Sequence, residues 1–223
     1  RGRGDVYKRQ EQAVKKFEKD FFVSNEKIAL SRETEHNERK ILELSKPESF
    51  SLYVGIPFCP SRCSYCSFVM ASIERAEKLI EPYTKLLCEE IKRTAEIANK
   101  LGLRLETVYF GGGTPTTLSA EQLDTVLRTV NKSFDMSTCR EFTVEAGRPD
   151  TIDIAKLFAL KENKVDRISI NPQTVNDEVL KTIGRKHTAQ QFFDAFELAR
   201  KCGLDNINTC LLYTSPSPRD MRR

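Results

Sequence analysis

Three cysteines, Cys59, Cys63 and Cys66, fall within eight residues in the run Cys-Pro-Ser-Arg-Cys-Ser-Tyr-Cys. Thiolates crowded in this way are soft ligands, suited to zinc or to an iron–sulfur cluster. Structural zinc takes four ligands, commonly as two pairs. The nearest further cysteine is Cys88, in a stretch expected to be helical, and no histidine stands near. Three ligands suit a [4Fe–4S] cluster, whose usual complement is four cysteines, with one iron left for a small molecule. Zinc with a distant fourth ligand and cysteines that merely pack both stay open. Cys88, Cys139 and Cys202 lie in or beside regular elements and read as packing residues, while Cys210 sits near the end of the chain.

A loop that gathers ligands needs regular elements to hold it, and the periodicity supplies them. Short β-rich runs appear at 51–56, 105–110, 141–145, 166–170 and 204–209, with helical segments expected at about 74–100, 119–133, 151–162 and 188–202. Ser119 with Gln122 and Thr188 with Gln191 have capping-box spacing. Asp150 or Thr151 is placed to cap the third helix and Gly203 to end the last. Strand–helix alternation implies a parallel sheet with right-handed crossovers, either doubly wound or curled into a barrel.

In both forms ligands gather at the carboxyl ends of the strands. The unusual residues follow those ends: the cysteines after the first strand, Gly111, Gly112 and Gly113 after the second, Glu145 at the third, Gln173 after the fourth. Glycines there let backbone approach a ligand closely, or simply make a tight strand-to-helix turn. Against a ligand role, Glu145 would be a surface strand-end carboxylate, and Arg185 could equally be a solvated helix-end charge. His187 reads as a turn or cap residue rather than a base.

The spacing Cys-x3-Cys-x2-Cys, with Tyr65 before the last cysteine, resembles the signature of radical S-adenosylmethionine enzymes. The segments Tyr-Val-Gly-Ile-Pro-Phe-Cys (53–59), Gly-Gly-Gly-Thr-Pro (111–115), Ser-Ile-Asn-Pro-Gln (169–173) and Gly-Arg-Lys-His-Thr (184–188) narrow it. Together they are similar to the oxygen-independent coproporphyrinogen III oxidase family, nearest its coproporphyrinogen dehydrogenase subgroup of Gram-positive bacteria. The resemblance covers about residues 20–209.

It implies an α/β fold, a partial (β/α) barrel with five of six strands, preceded by a short helical segment. It implies that Cys59, Cys63 and Cys66 ligate a [4Fe–4S] cluster whose fourth iron binds S-adenosylmethionine. Gly112, Gly113 and Thr114 would hold the methionine end, and Glu145 its ammonium or the ribose hydroxyls. Gln173 would contact the nucleoside, Arg185 the carboxylate, and Tyr53 and Tyr65 would sit beside the cofactor. The implied reaction is an oxidoreductase step of heme biosynthesis. A 5′-deoxyadenosyl radical takes hydrogen from the β-carbon of a porphyrinogen propionate, which then loses carbon dioxide and one electron and becomes a vinyl group. An electron donor such as flavodoxin or ferredoxin is implied as a partner.

Three departures from the family pattern bear on this. Phe68 stands where established oxidases carry a further cysteine, and Gly55 where a histidine is usual. After Asn208 the chain runs into Cys-Leu-Leu-Tyr-Thr-Ser-Pro instead of an aspartate-bearing strand. Heme chaperones of the family, which bind heme without decarboxylation, also have Phe after the triplet. The Glu-Ala-Gly-Arg-Pro-Asp run (145–150) favours the dehydrogenase subgroup. A zinc-stabilised binding module is the reading from another class.

With 39% hydrophobic and 30% charged residues among 223, the composition is that of a soluble globular chain. No apolar run approaches the ~20 residues of a membrane span, and no signal peptide opens the chain, so a cytoplasmic address is expected. An odd count of seven cysteines argues against a disulfide framework. Of the net charge of +4, +3 lies in residues 1–10 and +2 in residues 211–223, leaving −1 between them. The body therefore makes no electrostatic case for nucleic acid. Both ends resemble translated adapter sequence and are expected to be foreign or disordered. Residues 11–49 read as a helical remnant closed by Pro47, and residues 50–210 as the partial barrel. A chain cut in this way is expected to turn over weakly or not at all.

Overall fold

The computed structural model describes residues 3–68 and 70–212, and the chain divides into two units between Pro47 and Glu48. The first unit holds helices α1 (Arg3–Asp20) and α2 (Asn25–Leu42). Residues 3–10, expected to be aperiodic, are helical. Lys, Arg, Gln and Glu favour helix, and the turn they form runs into the amphipathic stretch without a break. The break comes later, at Phe22, whose φ of 52° is left-handed, and Ser24 then caps α2 by accepting from the Lys27 N–H. Helix α2 stops at Leu42, so Pro47 closes the unit and not the helix.

The second unit begins with β1 (Ser49–Ile56), a small pair β2 (Phe58–Cys59) and β3 (Ala71–Ser72), and the long helix α3 (Ile73–Lys100). There follow β4 (Arg104–Gly112), α4 (Ala120–Ser133), β5 (Glu141–Glu145), α5 (Ile154–Glu162) and β6 (Arg167–Ser169). Helices α6 (Asp177–Thr182) and α7 (Ala189–Lys201) and strand β7 (Asn206–Asn208) complete it. The five-stranded sheet has the order β1-β4-β5-β6-β7, and every pairing is parallel.

Each later strand joins the same growing edge. A doubly wound sheet reverses direction at a switch point, whereas barrel staves do not. The packing says the same, since α3 meets α4, α4 meets α5 and α5 meets α7 over one face. The order is that of a partial barrel with five strands, as expected.

Strand alternation decides what each face carries. Val54, Ile56, Val108, Phe110, Phe142, Val144 and Ile168 are buried under the helices. Each such side chain contributes on the order of 1.5–3 kcal/mol by leaving water. The intervening residues line the second face, where Thr107 donates to Ser51 at 2.8 Å and Tyr53 stacks on Tyr109 with centroids 5.9 Å apart.

Both expected capping boxes form, at Ser119–Gln122 and Thr188–Gln191. Gly203, at φ +77°, ends α7. The third cap differs. Pro149–Thr151 makes a 3-10 turn, the Thr151 hydroxyl donates back to the Arg148 carbonyl, and Asp153 caps α5 instead of Asp150 or Thr151. Proline suits such a first turn because its missing N–H would have no partner there. No helix among the described residues is long and apolar enough to cross a membrane.

Candidate functional site

The cysteines sit on a closed loop above the carboxyl end of β1. Strands β2 and β3 pair Phe58 with Ala71 and Cys59 with Ser72, and the Ala71 N–H donates to the Pro57 carbonyl at 2.8 Å. The loop's two ends are thereby tied together. Inside it the Cys66 N–H donates to the Cys63 carbonyl at 3.1 Å. All three cysteines are free thiols, with Cys63 buried and its two neighbours partly so.

The glycine-rich segment grips this loop from the side of β4. Gly113 N–H donates to the Ile56 carbonyl at 2.7 Å and Thr114 N–H to the Phe58 carbonyl at 2.8 Å. A Cβ on Gly113 would lie 2.5 Å from the Phe58 carbonyl oxygen, so only glycine fits. Gly112 has φ +102°, a conformation that side chains rarely adopt. Both alternatives left open for these glycines are thus partly right: the close approach is real, and its partner is the backbone of the cysteine segment. The Thr114 hydroxyl lies 3.3 Å from the Cys59 sulfur.

A second grip comes from the Gly-Arg-Lys-His-Thr run. Ser64 N–H donates to the Ile183 carbonyl at 3.0 Å, and the Ser61 hydroxyl donates to the Gly184 carbonyl at 3.1 Å. Gly184 is left-handed, and a Cβ there would meet the Arg62 carbonyl at 2.8 Å. Arg185 sends Nε and Nη2 to the Tyr65 hydroxyl, at 3.1 and 2.8 Å, and Nη1 to the Gly147 carbonyl at 3.0 Å. It is therefore a tie and not a solvated helix-end charge. His187 is more than a turn residue, because its ring is buried with Nε2 3.2 Å from the Pro172 carbonyl.

Glu145, at the end of β5, accepts from the Tyr109 hydroxyl, and Tyr109 stacks on Tyr53. Burial pushes the Glu145 carboxyl above its usual range, partly offset by the Tyr109 bond. Burial, and then the Glu145 charge, push the Tyr53 hydroxyl up as well. Tyr65 is raised by burial and drawn back by Arg185. Gln173 is buried at φ +65°, and its backbone pairs with Cys210 and Leu212 at the sheet's far edge. Leu211 and Leu212, expected to begin the foreign end, extend that pairing, while residues 213–223 lie outside the described residues.

Sequence reasoning missed Arg148. It is 2% exposed and reaches the Cys63 sulfur at 3.2 Å and the Ser61 hydroxyl at 2.6 Å. Its signal was in plain sight, a single arginine in the Gly-Arg-Pro turn that follows a strand end on the same rim.

The donor set fits an iron–sulfur cluster. Three soft sulfurs share one loop, and two of them are already steadied by Thr114 and Arg148. Among the described residues no group of three or more His, Cys, Asp and Glu converges to hold one metal ion. Cys88 is in the core beside Thr129, and Cys139 and Cys202 pack against that core, which is the packing role expected of them.

The family profile described as "Radical SAM superfamily" matches residues 53–220. A Bacillus subtilis protein named oxygen-independent coproporphyrinogen-III oxidase-like protein HemZ is 39% identical over 93% of this chain and 42% of its own length. A Lactococcus lactis protein named heme chaperone HemW is 40% identical over 78% of this chain and 43% of its own length. The solved structure of Escherichia coli coproporphyrinogen III oxidase, described as a radical SAM enzyme, superposes with a TM-score of 0.64 at 28% identity. It covers 72% of this chain and 36% of that one. The chain spans about two fifths of the length of these relatives.

Proposed function

The chain belongs to the radical SAM superfamily, and from that premise we propose that it carries the cluster-binding and S-adenosylmethionine-binding part of an oxygen-independent coproporphyrinogen III oxidase. The observation behind this is the fastening of one three-cysteine loop to Thr114, Arg148 and the Gly184–Arg185 turn. When bound, a [4Fe–4S] cluster with S-adenosylmethionine supplies one-electron cleavage of a sulfonium and hydrogen abstraction from carbon.

The chain's own residues supply position. Cys59, Cys63 and Cys66 offer a thiolate each. Gly112, Gly113 and Thr114 keep the β4 end against the loop, so a ligand seated there faces fixed backbone. Tyr109 occupies one oxygen of Glu145, and the carboxylate can take an ammonium or a ribose hydroxyl on the other. Arg185 has five N–H donors, of which three serve Tyr65 and Gly147, and two remain for a carboxylate. Tyr53 stacks on Tyr109 and Tyr65 is held by Arg185, and in this reading both lie beside the cofactor while Gln173 contacts its nucleoside. The substrate in this reading is a porphyrinogen propionate, oxidised to a vinyl group with loss of carbon dioxide.

A second reading, heme binding without decarboxylation, is favoured by one residue. Phe68, two positions past Cys66, is 64% exposed and offers an aromatic face where a fourth thiol would otherwise stand. The two readings part on product. Supplied anaerobically with S-adenosylmethionine, a reductant and coproporphyrinogen, the intact protein makes protoporphyrinogen in the first and retains heme without product in the second.

The cluster itself is tested on the chain in hand. Anaerobic purification should give about four irons per chain, and Cys63→Ala should remove them. A colourless protein with one zinc, or a full cluster retained by Cys63→Ala, would sink the reading.

A further inference from the structure

Arg148 is a buried cation whose partners are unusual. Its Nη1 points at the Cys63 sulfur at 3.2 Å and its Nη2 donates to the Ser61 hydroxyl at 2.6 Å. Ser61 passes the contact on to the Gly184 carbonyl at 3.1 Å. The nearest carboxylate is Asp150, whose oxygen lies 3.4 Å from Nε, a long contact. A guanidinium removed from water is stable only where its charge is answered and its donors are used. Here one carboxylate answers it at a distance, and the remaining fork is spent on residues 61 and 63 of a single turn. The planar fork fixes both at once, which a flexible ammonium cannot do.

We propose that Arg148 is a positioning residue that holds the Cys63 sulfur from behind and makes the iron–sulfur cluster easier to reduce. This rests on the cluster reading given above. The physical reason is charge. Reduction adds one electron to the cluster from an external one-electron donor, and no bond or proton changes at Arg148. A cation hydrogen-bonded to a ligating sulfur stabilises that added negative charge, and hydrogen bonds to sulfur and net charge are among the factors that set cluster potentials. Asp150 works against it by neutralising part of the same cation.

The two residues therefore have opposite signs, which a merely structural role would not produce. The test is a potentiometric titration of the anaerobically reconstituted chain with dithionite and redox dyes, read by electron paramagnetic resonance. At the potential where half the wild-type clusters are reduced, Arg148→Gln should lower the reduced-to-oxidised ratio about tenfold, equal to about 59 mV for a one-electron couple. Arg148→Lys should lower it less, since the charge stays and the fork is lost. Asp150→Asn should raise it.

An Arg148→Gln ratio within twofold of wild type, or an Asp150→Asn shift in the same direction as Arg148→Gln, overturns the proposal. If Arg148→Gln keeps a wild-type circular dichroism spectrum but holds no iron, the grip on Cys63 is upheld. Should it fail to fold, Asp150→Asn and Arg148→Lys decide by their signs. A wild-type chain that takes up no cluster overturns the proposed function, and this inference with it.

Discussion

The two ends of the sheet handle charge differently. At the amino end Glu106 is buried against Arg140, Glu141 meets Arg167 at 3.3 Å, and Asp166 accepts from the Phe142 N–H at 3.0 Å. Acid answers base there, and the groups seal the bottom of the strands. At the carboxyl end the cations turn elsewhere: Arg148 to a sulfur and a hydroxyl, Arg185 to a phenol and a carbonyl. Their positive charge is only partly answered by the protein. At the rim the cations are turned largely to neutral groups, whereas at the opposite end Glu106 with Arg140 and Glu141 with Arg167 pair within the protein.

The sharpest way to break this contrast is at Gly113. Gly113→Ala would drive a methyl group into the Phe58 and Ile56 carbonyls, at 2.5 and 2.9 Å, and backbone cannot swing aside. The expected loss is about 3 kcal/mol in urea unfolding, with faster alkylation of Cys59 as its segment loosens. Wild-type stability in that variant would show that the glycine segment does not clamp the loop. Glu106→Gln should have a smaller effect, about 2 kcal/mol for a weakened charged hydrogen bond. It should leave cysteine alkylation rates unchanged, and a change in them would erase the distinction between the two ends.

The smallest effect concerns acid. Burial holds the His187 imidazole below its ordinary 6.5, with the Pro172 contact opposing and the Arg185 and Arg148 charges adding to it. A group whose native value is lowered binds more protons when unfolded, so stability is complete above about pH 6.5 and falls as pH drops toward the native value. In His187→Gln the fall over that window should be shallower in thermal melts taken at several pH values. An unaltered slope would assign the loss to other groups.

Much of this was legible in the chain. The five strands show as short β-rich runs between helical periods, the two capping boxes as Ser/Thr and Gln three residues apart, and the crowded rim as unusual residues just past the strand ends. The pair β2–β3 has two residues a strand and no period to read, yet it is what closes the cysteine loop. Arg148 was hidden for another reason. A charged residue after a strand is normally solvated, and its burial depends on Ser61 and Cys63 arriving from far along the chain. Gly113 was readable as special, but not why, because its neighbour is backbone from another strand and not a ligand. The third cap went astray over a proline turn that uses the expected capping hydroxyl on itself.

Strand order also runs in the order of synthesis, β1 first and β7 last. The cysteines leave the ribosome before the groups that fasten their loop, which come 55, 85 and 120 residues later, at Thr114, Arg148 and Arg185. A half-made chain thus carries the three thiols before these contacts to their loop can form. The loop that would hold a cluster therefore has all three of these fasteners only once the chain has been made as far as Arg185.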